Sequence, residues 1–234
     1  MNEIKISVCM TTFNGEKFIE EQLTSILPQL SEYDEVLISD DGSTDQTLAI
    51  IEAYNDARIS THYSGKRSII KNFENSLKRA TGDVVFLADQ DDIWYPNKVA
   101  ITLSYLNEYD LVFSNASVFK ENTVQSYLLY EKGVSRIGLL RNFVKNNYIG
   151  ATMAFKRGVL DKALPFPPNI YMHDVWLAML VELKGKTFFI EQPLIYYRRH
   201  GNNASETSEK SSNGFGVKMR MRFNLALSLL RRLL

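Results

Sequence analysis

Three aspartates lie within four positions directly after an apolar run. Residues 84–88 (Val-Val-Phe-Leu-Ala) have the composition of a buried strand, and Asp89, Asp91 and Asp92 follow them. In an open α/β sheet, the carboxyl ends of the parallel strands face the crevice that binds ligands. Clustered carboxylates repel one another unless a cation neutralises them, and hard oxygen ligands suit Mg²⁺ or Mn²⁺. The pattern predicts a divalent-metal site, with a solvated acidic turn as the alternative interpretation.

Two further acidic positions follow predicted elements. Asp40 and Asp41 come directly after a short β-rich run at 35–39. Asp174 follows His173 at the predicted start of a helix, where an acid can either stabilise the helix N-terminus or act as a catalytic base. The order β-α-β-α-β-α-β over the first 88 residues requires a parallel sheet with right-handed crossovers. We therefore expect the acids after residues 39 and 88 to line one cleft.

The apolar periodicity divides the chain into strands and helices of an α/β protein. Strands are predicted at 4–10, 35–39, 59–63, 84–88, 110–115 and 148–155, and a strand pair broken at Pro193 is predicted at 188–197. Helices are predicted at 17–30, 47–54, 68–80, 97–108, 137–145 and 172–183. We expect one domain over 1–203, a flexible Ser-, Asn- and Gly-rich linker over 204–216, and a C-terminal helix over 217–234.

The C-terminal helix is predicted to be basic and amphipathic. Its apolar stripe consists of Met219, Phe223, Leu227, Leu230 and Leu234, and Lys218, Arg222 and Arg232 lie off the stripe. Such a helix is a candidate for lying on an anionic membrane surface. Packing on its own domain, or on a segment that follows it, is the alternative.

Composition excludes several classes of protein. The 234 residues include 27 Lys and Arg against 27 Asp and Glu, so no overall charge favours nucleic acid. The single cysteine, Cys9, excludes a disulfide framework and a Cys-based zinc site, and it indicates a reducing compartment. Residues 1–10 lack the features of a signal peptide, and no apolar run reaches 18 residues. We expect a cytoplasmic enzyme that does not span the membrane.

Four motifs together resemble those of a known family. They are residues 10–15 (Met-Thr-Thr-Phe-Asn-Gly), 40–45 (Asp-Asp-Gly-Ser-Thr-Asp), 89–94 (Asp-Gln-Asp-Asp-Ile-Trp) and 173–174 (His-Asp). In order and spacing, over roughly residues 4–200, they resemble the inverting family 2 glycosyltransferases with the GT-A fold, a Rossmann-like, mostly parallel sheet flanked by helices. The form of the third motif, together with residues 197–203, is most similar to bacterial rhamnosyltransferases of cell-wall or surface polysaccharide synthesis.

The resemblance implies a nucleotide-sugar site. Phe13 stands where the family stacks an aromatic ring on the base, beside Thr11. Asp41 stands where a carboxylate accepts from the base N3–H, a group that both uracil and thymine possess. Asp89 is the first acid of the metal motif and is expected to contact the nucleotide sugar. The implied donor is dTDP-rhamnose, with UDP-hexoses as the alternative.

The resemblance also assigns the metal and the base. Asp91 is implied as the direct ligand of Mn²⁺ or Mg²⁺, and His200 corresponds to a segment that closes over the diphosphate in related enzymes, where it either approaches the metal or is a surface residue. Asp174 corresponds to the acid that serves as base, whereas His173 replaces the usual Glu, which puts a secondary role there in doubt. With one base and no carboxylate placed as a nucleophile, single displacement with inversion is expected.

The expected acceptor is a glycan, which would be lipid-linked if the basic tail contacts the inner face of the bacterial plasma membrane, and an oligomer is possible.

Three other classes of protein are weaker interpretations of the sequence. Phosphotransfer modules place their key acids after the first strand, where this chain has Thr11, Thr12 and Phe13. A non-catalytic relative would be expected to lose Asp91 or Asp174, and a nucleotidyltransferase normally has a Gly-rich basic loop that residues 14–17 resemble poorly.

Overall fold

The computed structural model describes residues 4–120, 126–131, 138–144, 146–200 and 214–233. The strands are β1 (Ile6–Thr12), β2 (Glu35–Asp40), β3 (Ile59–Tyr63), β4 (Val84–Asp89), β5 (Ile93–Trp94), β6 (Leu111–Lys120), β7 (Tyr127–Leu128), β8 (Met153–Lys156) and β9 (Thr187–Arg199). The helices are α1 (Ile19–Ile26), α2 (Thr47–Ala53), α3 (Ile69–Leu77), α4 (Lys98–Leu106), α5 (Leu139–Val144), α6 (Gly158–Ala163), α7 (His173–Lys184) and α8 (Phe215–Leu233).

The N-terminal half is the predicted parallel sheet. Strands pair in the order β3-β2-β1-β4, and all three pairings are parallel. Each strand is joined to the next by a helix, which is the connection that parallel neighbours require. The carboxyl ends of β1, β2 and β4 therefore lie at one edge of the sheet.

The C-terminal half continues the same sheet with mixed pairing. The order beyond β4 is β8-β6-β9-β5, with β7 paired to β6. Strand β8 is antiparallel to both β4 and β6, whereas β6 and β9 are parallel. The antiparallel register pairs Phe86 with Ala154, so the residues that precede β8 lie beside the carboxyl end of β4.

Three predicted elements differ from the structure. The strand predicted at 148–155 is shorter, because residues 150–152 form a 3₁₀ turn and only Met153–Lys156 is extended. The strand pair predicted around Pro193 is one long strand, β9, in which Pro193 lies at a register shift against Asn115. A shift tolerates proline because that position needs no ladder N–H. The helix predicted at 17–30 ends at Ile26, and a 3₁₀ turn that contains Pro28 follows it.

Two apolar clusters cover the two faces of the sheet. In β4, Val84, Phe86 and Ala88 face the cluster that contains α1, α2 and α4. Val85 and Leu87 face the cluster that contains α3, α6, α7 and α8. This alternation is the period of two that a strand imposes, and it is why a continuous apolar run marked β4 as buried on both faces.

Helix α8 packs on the domain through residues other than the predicted stripe. Leu225 and Leu229 are buried in the cluster with α7, and Arg232 donates to the Leu164 carbonyl at 3.1 Å. Met219, Phe223 and Leu230 are exposed instead, and Leu234 lies outside the described residues. The predicted linker also lies outside the described residues, except for residues 214–216. In the parts of the chain that the structure describes, no helix is both long enough and apolar enough to cross a bilayer.

Candidate active site

The two acidic clusters lie side by side at the carboxyl edge of the sheet. In the parallel register Thr11 is opposite Asp89 and Thr12 is opposite Asp40. The Thr12 hydroxyl donates to Asp40 Oδ2 at 2.8 Å, which ties β1 to β2 where the strands end. The loops that follow β1, β2 and β4 thus form the walls of one cleft.

Asp40 organises the turn after β2. It is buried, and its Oδ1 accepts from the backbone N–H groups of Gly42 and Ser43 at 2.9 and 2.8 Å. Gly42 has a φ of +95°, a conformation that L side chains rarely adopt. Because protein donors occupy its carboxylate, we assign Asp40 a structural role.

Asp41 holds the loop that leads into α3. Its Oδ1 accepts from the N–H groups of Lys66 and Arg67 at 2.7 and 2.8 Å, and its Oδ2 accepts from Ser68 at 2.7 Å. Oδ2 makes only one of these bonds, and a carboxylate oxygen has two lone pairs. The side chain therefore keeps acceptor capacity for a base N–H while it fixes the loop around it.

The loop after β1 presents Phe13 outward. Phe13 is 51% exposed, so its ring can contact a ligand. The side chain of Gln90, a residue of the metal motif, makes two hydrogen bonds to the Phe13 backbone. Its Oε1 accepts from Phe13 N at 2.9 Å and its Nε2 donates to Phe13 O at 3.1 Å. A Cβ added to Gly15 would lie 2.3 Å from Gln90 Oε1, so only glycine leaves room for this grip. Sequence reasoning gave Gln90 no role, although it lies inside a motif already singled out.

Asp91 and His200 meet although they lie 109 positions apart in the chain. His200 Nε2 lies 2.8 Å from Asp91 Oδ2, and both side chains are largely buried. The imidazole also stacks on Phe18, with ring centroids 4.8 Å apart. The structure thus brings together the two residues that were predicted to approach the metal.

Arg198 fastens the end of β9 to the metal motif. Its Nε donates to the Asp91 carbonyl at 2.9 Å, and its backbone N–H donates to Asp92 Oδ1 at 3.0 Å. The guanidinium also pairs with Glu21 and lies 4.7 Å from the Phe119 ring centroid. Its buried position shows that it anchors the strand, which only the tertiary fold reveals.

Crowded negative charge marks the centre of the cleft. Burial raises the pKa of Asp89 to about 7, and the charges of Asp91 and Asp174 add to the shift. Burial and the charges of Asp91 and Asp89 raise the pKa of Asp92 well above its usual range. Carboxylates with raised pKa values that share a site are typical of functional sites, because a bound cation relieves their repulsion.

The residues present fit a metal that is shared with a substrate. Among the described residues, no group of three or more His, Cys, Asp or Glu side chains is arranged to hold a metal by itself. Mg²⁺ and Mn²⁺ at nucleotide sites bind one or two carboxylates, and phosphate and water oxygens complete the shell. Asp91 with His200 beside it matches such a partial donor set.

Asp174 lies in the first turn of α7. It is 6% exposed, its Oδ1 accepts from Val175 N at 2.7 Å, and its Oδ2 accepts from Gly150 N at 3.1 Å. Burial raises its pKa to about 6, and these two hydrogen bonds oppose the shift. Gly150 precedes β8 and therefore lies beside the carboxyl end of β4. The base candidate and the metal motif thus face the same cleft.

His173 is buried behind Asp174. Its ring stacks on Phe73 at 3.9 Å between centroids, and neither ring nitrogen has a hydrogen-bond partner among the described residues. Burial lowers its pKa to about 3, so the imidazole is neutral at physiological pH. A Cβ on Gly150 would lie 3.0 Å from His173 Nε2, which shows how closely the two segments approach. His173 therefore supports Asp174 by packing and carries no charge into the cleft.

Comparison with known proteins identifies relatives over most of the chain. The model of the family described as Glycosyl transferase family 2 matches residues 7–164. The dTDP-rhamnosyl transferase RfbG of Shigella flexneri is 30% identical over 221 residues, which cover 83% of this chain and 72% of that protein. The UDP-Glc:alpha-D-GlcNAc-diphosphoundecaprenol beta-1,3-glucosyltransferase WfgD of Escherichia coli is 28% identical over 77% of this chain and 71% of that protein.

Solved structures share the fold at lower sequence identity. TarS of S. aureus in complex with UDP-GlcNAc superposes with a TM-score of 0.73 at 23% identity, covering 96% of this chain and 67% of that one. Another structure of TarS is matched over only 60% of its length. Glucosyl-3-phosphoglycerate synthase of Mycobacterium tuberculosis, solved with Mn²⁺ and UDP-glucose, gives a TM-score of 0.62 at 21% identity over 98% of this chain and 79% of that one.

Proposed function

This chain belongs to glycosyl transferase family 2 and has the GT-A fold, and on that premise we propose that it transfers L-rhamnose from dTDP-rhamnose to a glycan acceptor with inversion. The proposed setting is the synthesis of a bacterial cell-wall or surface polysaccharide. The observation that carries the proposal is that Asp174, hydrogen-bonded to Gly150, lies near the carboxyl end of β4, where Asp89 and Asp91 are, close enough for its charge to act on Asp89.

Asp174 is proposed as the general base. With a pKa of about 6 it is ionised at neutral pH, and it is more basic than an ordinary aspartate. A base whose pKa lies near the working pH is the most effective, and such a base contributes about 10²–10⁴-fold to the rate. Its hydrogen bonds to Val175 and Gly150 hold the carboxylate in one orientation, so that a free lone pair can accept the acceptor hydroxyl proton.

The donor nucleotide is proposed to lie along the ends of β1 and β2. Phe13 is exposed and can stack on the base beside Thr11, while Asp41 can accept from the base N3–H. The sugar diphosphate then extends toward Asp89 and Asp91. Bound Mn²⁺ or Mg²⁺, held by Asp91 with His200 adjacent, would neutralise the diphosphate leaving group as a Lewis acid.

Rhamnose is favoured because RfbG, named as a dTDP-rhamnosyl transferase, is 30% identical. A UDP-hexose is the second candidate donor, because other relatives and structures of this fold are named with UDP-Glc or UDP-GlcNAc. The contacts inferred for Asp41 and Phe13 do not separate thymine from uracil. A lipid-linked glycan is the proposed acceptor, since WfgD is named for a diphosphoundecaprenol acceptor.

The donor proposal is tested with a panel of nucleotide sugars. We expect hydrolysis or transfer with dTDP-rhamnose in Mn²⁺, loss of the activity with chelator, and near-normal donor binding with little turnover in Asp174→Asn. Preference for a UDP-hexose would replace the donor assignment alone. Turnover of Asp174→Asn near the wild-type rate would remove Asp174 from the base role.

Peripheral membrane contact through α8 is proposed from its outer face. Met219, Phe223 and Leu230 recur at helical spacing and are 46%, 67% and 59% exposed. Arg220 and Arg231 are exposed next to them in the chain. An apolar stripe bordered by arginines suits the boundary between acyl chains and anionic headgroups.

Vesicle sedimentation tests this contact with a matched control. Phe223→Glu should reduce pelleting with phosphatidylglycerol vesicles, because a charge then enters the apolar stripe. Tyr33→Glu, at a residue of similar exposure (63%) in the loop before β2, should pellet like the wild type. Equal pelleting of the wild type and Phe223→Glu would exclude α8 as the membrane contact.

A further inference from the structure

Lys98 is a buried lysine that the proposed function leaves without a role. It is the first residue of α4 and is only 1% exposed. Its Nζ donates to the Ala151 carbonyl at 3.2 Å and lies 5.0 Å from the Trp94 ring centroid. Lysine is almost never fully buried without a compensating partner, because an ammonium group loses much of its hydration.

Asp92 is the acidic side chain whose charge acts on Lys98. It is 1% exposed, and its Oδ1 accepts from the Arg198 backbone N–H at 3.0 Å. Its Oδ2 has no hydrogen-bond partner within the described ranges. The two side chains interact electrostatically, but burial outweighs that attraction: it lowers the pKa of Lys98 to about 7 and raises the pKa of Asp92. Lys98 thus connects the metal-motif loop to the segment that contains Ala151.

That segment, residues 148–151, is called the strap. Tyr148 fixes its first residue through a short hydrogen bond from the phenol to Glu182 Oε1 on α7. Gly150 donates its N–H to Asp174 Oδ2 at 3.1 Å. Lys98 holds the last residue by its carbonyl. The N–H that orients Asp174 therefore lies between two buried side-chain anchors, one at each end of the strap.

We propose that Lys98 is a positioning residue for Asp174: by holding the Ala151 carbonyl, it keeps the Gly150 N–H on the Asp174 carboxylate. The inference rests on the proposed function, in which Asp174 is the base. It connects α4, which follows the metal motif in the chain, to the proposed base. It also gives a role to a lysine that is buried beside Trp94.

Lys98→Met tests the connection, because it keeps most of the side-chain volume and removes the donor. Misplacement of a catalytic group by about 1 Å can cost about 10²-fold in rate, so we expect kcat to fall about 10- to 100-fold. The KM for the donor should change less than about threefold, because the nucleotide contacts lie elsewhere. Lys162→Met, at an exposed lysine of α6, is the control and should leave both constants unchanged.

The pH profile separates positioning from a general loss of structure. A hydrogen bond from Gly150 N–H favours the ionised form of Asp174, so its loss should move the acid limb of kcat to higher pH. The other titratable groups around Asp174 are His173, Asp89, Tyr130 and Tyr171, and the substitution leaves all of them in place. Tyr148→Phe releases the other end of the strap without a change of charge, and it should shift the limb in the same direction.

A double-mutant cycle with Asp174→Asn tests whether Lys98 acts on the rate through Asp174. If Lys98 acts through Asp174, adding Lys98→Met to Asp174→Asn lowers the residual rate less than about threefold. A full multiplicative loss, or an unshifted acid limb in Lys98→Met, overturns the inference and leaves the base assignment intact. Unimpaired Asp174→Asn would instead overturn the proposed function. If Lys98→Met does not fold, Lys98→Met with Asp92→Asn removes both buried charges together and takes its place under the same criteria.

Discussion

Gly15→Ala is expected to weaken nucleotide binding without loosening the fold. The new Cβ would lie 2.3 Å from Gln90 Oε1 and 2.5 Å from its Cδ, so the Gln90 side chain must swing away. Its movement breaks both hydrogen bonds to the Phe13 backbone, which measure 2.9 and 3.1 Å. Phe13 then loses the anchor that presents its ring to the base.

The size of the effect follows from those two bonds. Each contributes a net of about 0.5–1.5 kcal/mol, and their solvent-exposed setting favours the lower half of that range. A loss of about 1–2 kcal/mol corresponds to about 5- to 30-fold weaker binding of dTDP or UDP. Gly15 does not have a left-handed φ, so alanine fits its backbone conformation, and a gain of about 0.4–1 kcal/mol from the more restricted unfolded chain offsets part of the lost hydrogen-bond free energy.

Isothermal titration calorimetry with Mn²⁺ and nucleotide provides the measurement. Gln90→Ala should show the same loss as Gly15→Ala, because each removes the same pair of bonds. The double variant should bind no more weakly than either single variant. Binding by Gly15→Ala within twofold of the wild type, or multiplicative losses in the double variant, would refute the role of Gln90.

Three further predictions concern charge and stability. Because Asp174 must be ionised to act as a base, kcat/KM should rise with pH through about 6 and level off above it, and a profile with no inflection between about pH 5 and 7 would contradict the assignment. The folded-state pKa of Asp174 lies above its ordinary 3.8, so its ionisation destabilises the fold above about pH 6 and has no effect below the ordinary value. In urea titrations at about pH 8, the free energy of unfolding of Asp174→Asn should accordingly exceed that of the wild type by up to about 3 kcal/mol. The difference should vanish near pH 4. A variant that is less stable than the wild type at pH 8 would refute this reasoning. Asp34 is buried and accepts from the N–H groups of Ile6 and Ser31, both at 2.7 Å, so Asp34→Ala should lose about 2–3 kcal/mol in urea denaturation. Glu32→Ala, at an exposed neighbour, should change stability by less than about 0.5 kcal/mol, and equal losses would show that the bonds of Asp34 contribute nothing.

The elements of the N-terminal half were predictable because their signals are local. Val84 to Ala88 is apolar on both faces, as a parallel strand buried between two helical layers must be. The acids after β2 and β4 lie at one edge because alternating strands and helices enforce parallel pairing. Periodicity failed at residues 148–155, where a 3₁₀ turn replaces half of the predicted strand so that Gly150 can reach Asp174.

The C-terminal helix shows the limit of periodicity more sharply. The predicted apolar stripe treats α8 as a helix with one apolar face, but the structure buries Leu225 and Leu229 and exposes Met219 and Phe223. The helix has two apolar faces, and composition alone cannot decide which of them meets the domain. Which face packs on the domain depends on the surface that the helix meets, where Arg232 lies over the Trp176 ring.

By itself, the sequence determined the order of strands and helices, the edge of the sheet that carries the acids, and the identities of Asp41, Asp89, Asp91 and Asp174 as the residues to examine. The elements follow from local composition and from the geometric rules of parallel sheets, and the residues follow from these together with the resemblance of the four motifs to a known family. Only the tertiary structure decided that His200 meets Asp91, that Gln90 grips Phe13, and that Lys98 and Gly150 hold the surroundings of Asp174. Such contacts join residues far apart in the chain, and their distances depend on packing that no local pattern specifies.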